Sequence, residues 1–146
     1  MTIRKMTKND LSACAEILIQ VYNNTLWQGG WTHETALEYL TDFFDMKKFA
    51  GFVVTLEDSI IGAVFAHEKV WWTGSEVFVE EMFVSPEHQR KGIGSLLIRE
   101  IETYIKENSL CGITLSTNRY APAPAFYRKN GFYDCEHVLF MAKETK

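Results

Sequence analysis

The stretch that most narrows what this chain can fold into runs from Val79 to Thr117. It opens as a strand, Val79-Glu80-Glu81-Met82-Phe83-Val84, passes through the polar, Gly-containing loop Ser85–Gly94, and enters a helix. Ile93, Leu96, Leu97, Ile101, Tyr104 and Ile105 recur at helical spacing and mark one long amphipathic helix. Cys111–Thr117 is then a compact strand. A strand reached through a helical crossover lies parallel to an earlier one, so this segment demands a sheet with a parallel pair in it.

The chain before it supplies the rest of the sheet. Gly51–Glu57 and Ile60–Val70 read as two strands joined by the short polar turn Glu57-Asp58-Ser59, and Thr73-Gly74-Ser75 leads into a third, Glu76–Val84. Thr2–Met6 is a short first strand. Thr7-Lys8-Asn9-Asp10 has the form of a capping box with an acid in place of the usual Glu. Behind it, Leu11, Cys14, Ala15, Leu18, Val21 and Tyr22 share one helical face. Asn23–Trp31 reads as a loop, and Thr32 caps a second helix with the stripe Ala36, Leu37, Leu40, Phe43 and Phe44. Pro124 suits the first turn of a short helix that Gly131 closes, and Phe132–Phe140 supplies one or two last strands. The expected fold is α+β (α/β): a mixed sheet of six to seven strands with four helices on its faces. With 146 residues the chain reads as a single domain, 1–146.

Composition excludes several classes of function. Fifteen Lys and Arg against nineteen Asp and Glu give a formal charge of −4, a poor basis for binding phosphate backbones, so nucleic acid is not an expected partner. No apolar run approaches the about 20 residues of a membrane span. Met1–Lys8 has no apolar run behind its charges and reads as neither a signal nor a transit peptide. Cys14, Cys111 and Cys135 are odd in number and show no CxxC spacing, as in a reduced, cytoplasmic protein. His33, His67, His88 and His137 are scattered without ligand spacing, so no metal is expected.

Chemistry concentrates in the loop. Gly92 and Gly94 let backbone N–H groups converge, the helix starting there adds unpaired donors and a positive dipole end, and Arg90 and Lys91 lie beside them. These are means of holding a pyrophosphate. A dinucleotide fingerprint is missing because position 97 is Leu, and the GK[ST] of a P-loop is missing too. Further on, Ala125-Phe126-Tyr127-Arg128-Lys129-Asn130-Gly131-Phe132 forms a short helix ending in Gly-Phe.

With both segments in view the chain resembles the GNAT superfamily of acyl-CoA-dependent N-acyltransferases. The family's Q/R-x-x-G-x-G/A pyrophosphate loop matches Gln89-Arg90-Lys91-Gly92-Ile93-Gly94, and its FYxxxGF helix matches Phe126–Phe132; the order of elements fits over nearly the whole chain. The resemblance implies that the strand of Met82, Phe83 and Val84 splays from its parallel neighbour, Ile113–Thr117, and offers its backbone to the pantetheine arm of acetyl-CoA. An amide of Met82 or Phe83 would polarise the thioester carbonyl. Gln89 to Ser95 would hold the pyrophosphate, Ser95 following the second glycine of the loop. Tyr127 corresponds to the family's Tyr near the cofactor sulfur. The family's cofactor-bonding Asn has no counterpart at its usual spacing, where Tyr120 stands, and Asn118 is the nearest candidate.

The reaction so implied is direct attack of an amine on acetyl-CoA. An alkylamine with a pKa near about 10.4 is almost all ammonium at neutral pH, so a proton must leave before attack. Glu80 and Glu81 lie on the central strand, and strict alternation would let only one of them point into the site. By resemblance to aminoglycoside-type members with a Leu-Glu-x-x-Phe-Val strand, Glu80 is the better match, with relay through a water the alternative. A phenol near about 10 protonating a thiolate near about 8.5 is uphill by about 2 kcal/mol, so Tyr127 is better read as a hydrogen-bond donor to the leaving sulfur. Trp27 and Trp31 border the acceptor side in the family. They read equally as an aromatic wall for a cation, together with Glu81, or as core. Trp71 and Trp72 read as core, hairpin cover or dimer contact; a homodimer is compatible with the family and the aromatic surplus. The acceptor expected is a small amine, polyamine or aminoglycoside; a protein N-terminus or lysine, and a non-catalytic acyl-CoA sensor, are the alternatives.

Overall fold

Five strands follow one another across a single sheet in chain order: β1 (Thr2–Lys5), β2 (Phe49–Leu56), β3 (Ser59–Lys69), β4 (Glu76–Val84) and β5 (Ile113–Leu115). The first four pair antiparallel, and only β4 and β5 run parallel, as the helical crossover requires. The helices are α1 (Leu11–Tyr22), α2 (His33–Phe44), α3 (Ile93–Glu107) and α4 (Ala123–Lys129). This computed structural model describes residues 1–24 and 27–146; of the loop expected over Asn23–Trp31, residues 25 and 26 lie outside the described residues. The chain divides into two compact units, Met1–Ser116 and Thr117–Lys146.

In the first unit the sheet separates two cores. Under α1 and α2, Leu11, Cys14, Leu18, Ala36 and Leu40 meet Val53, Ala63 and Phe65. On the opposite face Ile93, Leu97 and Ile101 of α3 meet Phe52, Val54, Val64, Val77 and Val79. Alternation along β3 produces this division: Ala63 and Phe65 face α1 and α2, and Val64 and Ala66 face α3. Local signals fix the ends. Thr7 and Asp10 form the expected capping box, although on a single 3-10 turn (Lys8–Asp10) that leads into α1. Asp10 is buried, accepts from the Thr7 amide at 2.7 Å and holds Arg4 through two bonds of 2.8 and 2.9 Å. Thr32 caps α2 in a reciprocal pair with Thr35. Glu57 and Asp58 both take positive φ, 50° and 64°, the twist a two-residue β2–β3 hairpin needs.

The second unit holds α4, which follows Pro122 and is closed by Gly131, at φ 93° and two residues beyond its last residue. Residues 132–146 form no strand, so five strands stand among the described residues against the six to seven expected. The segment 132–140 has strand-like composition, but a strand is held by the ladder it joins, and within its unit it finds none. Val138, Leu139, Phe140 and Met141 are exposed there, and the Val138 amide closes a turn to the Cys135 carbonyl.

Candidate active site

The site is organised by one irregularity in β4. Val79 pairs with Ala66 of β3 and Glu81 with Phe65, so Glu80 is an extra residue opposite nothing, a β-bulge. The bulge turns the strand over. Before it, Val77 and Val79 face α3; after it, Met82 and Val84 pack on that side, while Phe83 enters the core under α1 and α2. Pairing with β5 also ends here. Val77, Phe78 and Val79, opposite Ile113, Thr114 and Leu115, form the whole parallel ladder. From Glu80 to Val84 the β5-side edge of β4 is therefore without a strand partner among the described residues.

The bulge corrects the expectation for the two carboxylates. Strict alternation would send Glu80 and Glu81 to opposite faces; the bulge puts both on the α1–α2 face. Glu80 Oε2 lies 2.8 Å from His67 Nε2, and His67 stands two residues beyond Phe65 on that face of β3. Glu81 reaches the helices themselves: the hydroxyls of Tyr22 (α1) and Tyr39 (α2) donate to its Oε1 and Oε2 at 3.1 and 2.6 Å. Burial pushes the Glu81 carboxyl above its usual range; the Tyr39 and Tyr22 hydroxyls pull it back, and the charge of Glu80 pushes it up. Tyr39 is itself pushed well up by burial and by the charge and hydrogen bond of Glu81.

Aromatic rings surround this carboxylate. Trp27 meets Tyr22 edge-on at 5.0 Å, Trp31 lies over Tyr39 at 4.7 Å, and Phe43 meets Tyr39 edge-on at 4.6 Å. The backbone of Trp31 is fixed by the side chain of Asn23, whose oxygen accepts from its N–H at 3.0 Å and whose amide donates to its carbonyl at 2.7 Å. Trp27 and Trp31 are half-buried, so part of each residue is open to solvent. Nothing in the sequence singles out Tyr22, Tyr39 or His67 for function. The readable sign is the doublet Glu80-Glu81 breaking an apolar run of Val77–Val79 and Met82–Val84.

At the end of β4, Gln89 Nε2 donates to the Val84 carbonyl at 3.1 Å, tying the loop to the strand. Arg90 and Gly92 both take positive φ, 63° and 82°, and Gly92 is the N-cap of α3. The Leu96 amide bonds the Gly92 carbonyl, which leaves the amides of Ile93, Gly94 and Ser95 at the open end of the helix. Gln89, Arg90 and Lys91 are exposed beside them. These residues fit an anionic group: donors without helical partners, flanking cations and a Cβ-free cap. In the second unit, Tyr127 of α4 packs edge-on against Phe126 at 5.2 Å and Phe132 at 5.3 Å. Asn118 Oδ1 accepts from the Tyr120 amide at 2.9 Å, and Arg128 is paired with Asp134 at 2.8 Å. No group of three or more His, Cys, Asp or Glu suited to a metal occurs among the described residues.

A mixed sheet whose one parallel ladder ends at a bulge, with a glycine-capped helix at the end of the unpaired strand segment, fits the GNAT-like fold that the resemblance implied. The comparisons with known proteins agree. Residues 47–134 match the family model described as an acetyltransferase (GNAT) domain, and the chain belongs to that family. It is similar to streptothricin acetyltransferase A of Bacillus subtilis (strain 168), 31% identical over 84 residues, which are 57% of this chain and 47% of that protein. The chain thus spans about half the length of this curated relative. A possible acetyltransferase from Clostridium difficile 630 superposes with a TM-score of 0.83 at 18% identity, covering 99% of this chain and 98% of that one. A structure of AAC(6')-Iy in complex with the bisubstrate analog CoA-S-monomethyl-acetylneamine superposes at 0.77 with 20% identity, covering 99% and 98%. At these identities the structural likenesses establish the fold. No helix is long and apolar enough to cross a membrane among the described residues.

Proposed function

We propose that residues 1–146 act as one cytoplasmic, acetyl-CoA-dependent N-acetyltransferase whose acceptor is a small cationic amine, a polyamine or an aminoglycoside. The observation that carries this is the bulge at Glu80. It coincides with the end of the β4–β5 ladder and sets two carboxylates on a face lined by Tyr22, Trp27, Trp31 and Tyr39. An aromatic wall around acidic groups suits an ammonium, with cation–π attraction of about 0.5–2 kcal/mol. Half-buried carboxylates and rings together favour a small acceptor over an extended peptide.

In this reading the backbone of Met82, Phe83 and Val84 bonds the pantetheine arm, and a strand amide polarises the thioester carbonyl. Gln89, Arg90, Lys91, Gly92, Ile93, Gly94 and Ser95 take the pyrophosphate, with Asn118 a further ligand. Both oxygens of Glu81 are occupied by tyrosine hydroxyls, whereas Glu80 spends one on His67. Glu80 is therefore the base. It takes one proton from the acceptor ammonium, directly or through water; the amine nitrogen bonds the carbonyl carbon and the carbon–sulfur bond breaks. The second proton of that nitrogen passes to the departing thiolate, giving the neutral amide and the free thiol, and the resemblance gives Tyr127 the role of hydrogen-bond donor to the sulfur. Glu81 holds the aromatic wall that receives the rest of the acceptor.

Calorimetry with acetyl-CoA comes first, followed by thiol release with neamine, spermidine and a lysine peptide. The reading expects micromolar binding, turnover on the amines above the peptide, and a lower kcat with little change in acetyl-CoA affinity in Tyr127→Phe. Binding without turnover on any acceptor would make the chain an acyl-CoA sensor, and absence of binding would end the proposal.

A further inference from the structure

Glu80 does not stand alone on the bulge. His67, from the neighbouring strand, faces it at 2.8 Å, and both side chains are mostly buried: 13% of His67 and 24% of Glu80 remain exposed. Both ring nitrogens of His67 lie near oxygen acceptors. Nε2 meets the Glu80 carboxylate, and Nδ1 lies 3.3 Å from the backbone carbonyl of Glu68. The shorter, charge-assisted contact requires a donor, so the ring proton belongs on Nε2. Phe78 packs beside the ring, 5.9 Å away between centroids, and the Lys69 ammonium lies 5.4 Å from the centre of the Phe78 ring.

A bulge residue has no cross-strand partner in the ladder to hold its side chain, so the orientation of Glu80 must come from elsewhere. We propose that His67 is a positioning residue for acetyl transfer: by donating Nε2–H to Glu80 Oε2 it aims the free Oε1 at the acceptor nitrogen. The proposal rests on Glu80 being the base. It adds what neither the sequence motifs nor the family comparison carries, a β3 side chain that the reaction depends on without touching the substrate. As the proton moves from ammonium to Oε1, the His67 bond to Oε2 persists, and no further group has to change protonation. Lys69, Glu81, Tyr22 and Tyr39 are the other titratable groups around this face, and Glu81 with its tyrosines is tied up in its own network.

The test is steady-state kinetics of His67→Ala, His67→Gln, Glu80→Gln and the double variant His67→Ala/Glu80→Gln, with neamine as the amine and melting curves as the check on folding. Partners that orient a reacting group in this way are worth about 10–100-fold. His67→Ala should lose that much in kcat with KM for acetyl-CoA unchanged. His67→Gln, whose amide can still donate, should recover most of it, and the double variant should be no slower than Glu80→Gln alone. Full kcat in His67→Ala, or losses that multiply in the double variant, overturn the proposal. A wild-type kcat in Glu80→Gln overturns the base assignment and this inference with it. If neamine is not acetylated at all, the acceptor reading fails separately, and NMR still decides the pair. A hydrogen-bonded Nε2–H proton of His67 in the intact protein, lost in Glu80→Ala, supports it, and an Nδ1–H tautomer sinks it.

Discussion

Glu81 is a carboxylate spent on structure. It joins β4 to α1 and α2 through two tyrosine hydroxyls, in surroundings that push its proton affinity up because burial outweighs the donors. A carboxyl whose folded pKa is raised above the ordinary value, here 4.5, binds its proton more tightly in the folded than in the unfolded chain. Stability contributed by this group is therefore full below the unfolded value and is lost as pH rises through the folded one. Glu81→Gln keeps a polar group between the tyrosines and removes the titration. Denaturation curves across pH 4 to 8 should show the variant gaining on the wild type as pH rises. A constant difference over that range would mean that Glu81 titrates as it does in the unfolded chain.

At the scale of elements, α3 depends on its cap. Gly92 sits at φ 82°, and a Cβ there would meet no atom within 4 Å, so space is available and backbone conformation alone disfavours a side chain. Gly92→Ala should cost about 1–2 kcal/mol in chemical denaturation. On the proposed function it should also weaken acetyl-CoA binding, because the amides of Ile93, Gly94 and Ser95 shift with the cap. Gly92→Asn should be milder on both counts, since Asn tolerates the left-handed region. Elements of this kind are legible in sequence: capping residues, glycines and amphipathic stripes act through neighbours in the chain, and β4 and the start of α3 fall where these signals place them. The bulge was not legible, because it depends on which β3 residue pairs with which β4 residue. Nor was the absence of strands in 132–140, since apolar alternation shows that a segment is able to pair and says nothing of a partner.

For the molecule as a whole, order is unevenly distributed. β2, β3 and β4 carry the fully buried Val53, Val54, Val64, Phe65 and Val77, with helices on both faces, whereas residues 132–146 are nearly all exposed and without a ladder. Hydrogen exchange should rank the amides of β2 to β4 slowest and those of 132–146 fastest. Protection of the latter comparable with β3 would show that they join a ladder in solution. The thiols divide in the same way. Cys14 is buried, with its thiol pushed up to about 12, while Cys111 and Cys135 are exposed. The site was half legible at this scale. Glu80, Glu81, Trp27 and Trp31 stand out in the chain as acids on a strand and rings in a loop, whereas Tyr22, Tyr39 and His67 join them only through folding.

The bulge has a further implication for how such a chain can change length. Removing Glu80 leaves every other β3–β4 partner in place: Val79 beside Ala66, Glu81 beside Phe65, and their alternate facings already correct for a regular strand. A single-codon deletion there should therefore yield a protein that melts as high as the parent and has lost acetyl transfer. Measured side by side, melting and turnover would separate as they seldom do for deletions inside a strand. Glu80 would then be an insertion in the literal sense, one residue added to a sheet that is complete without it.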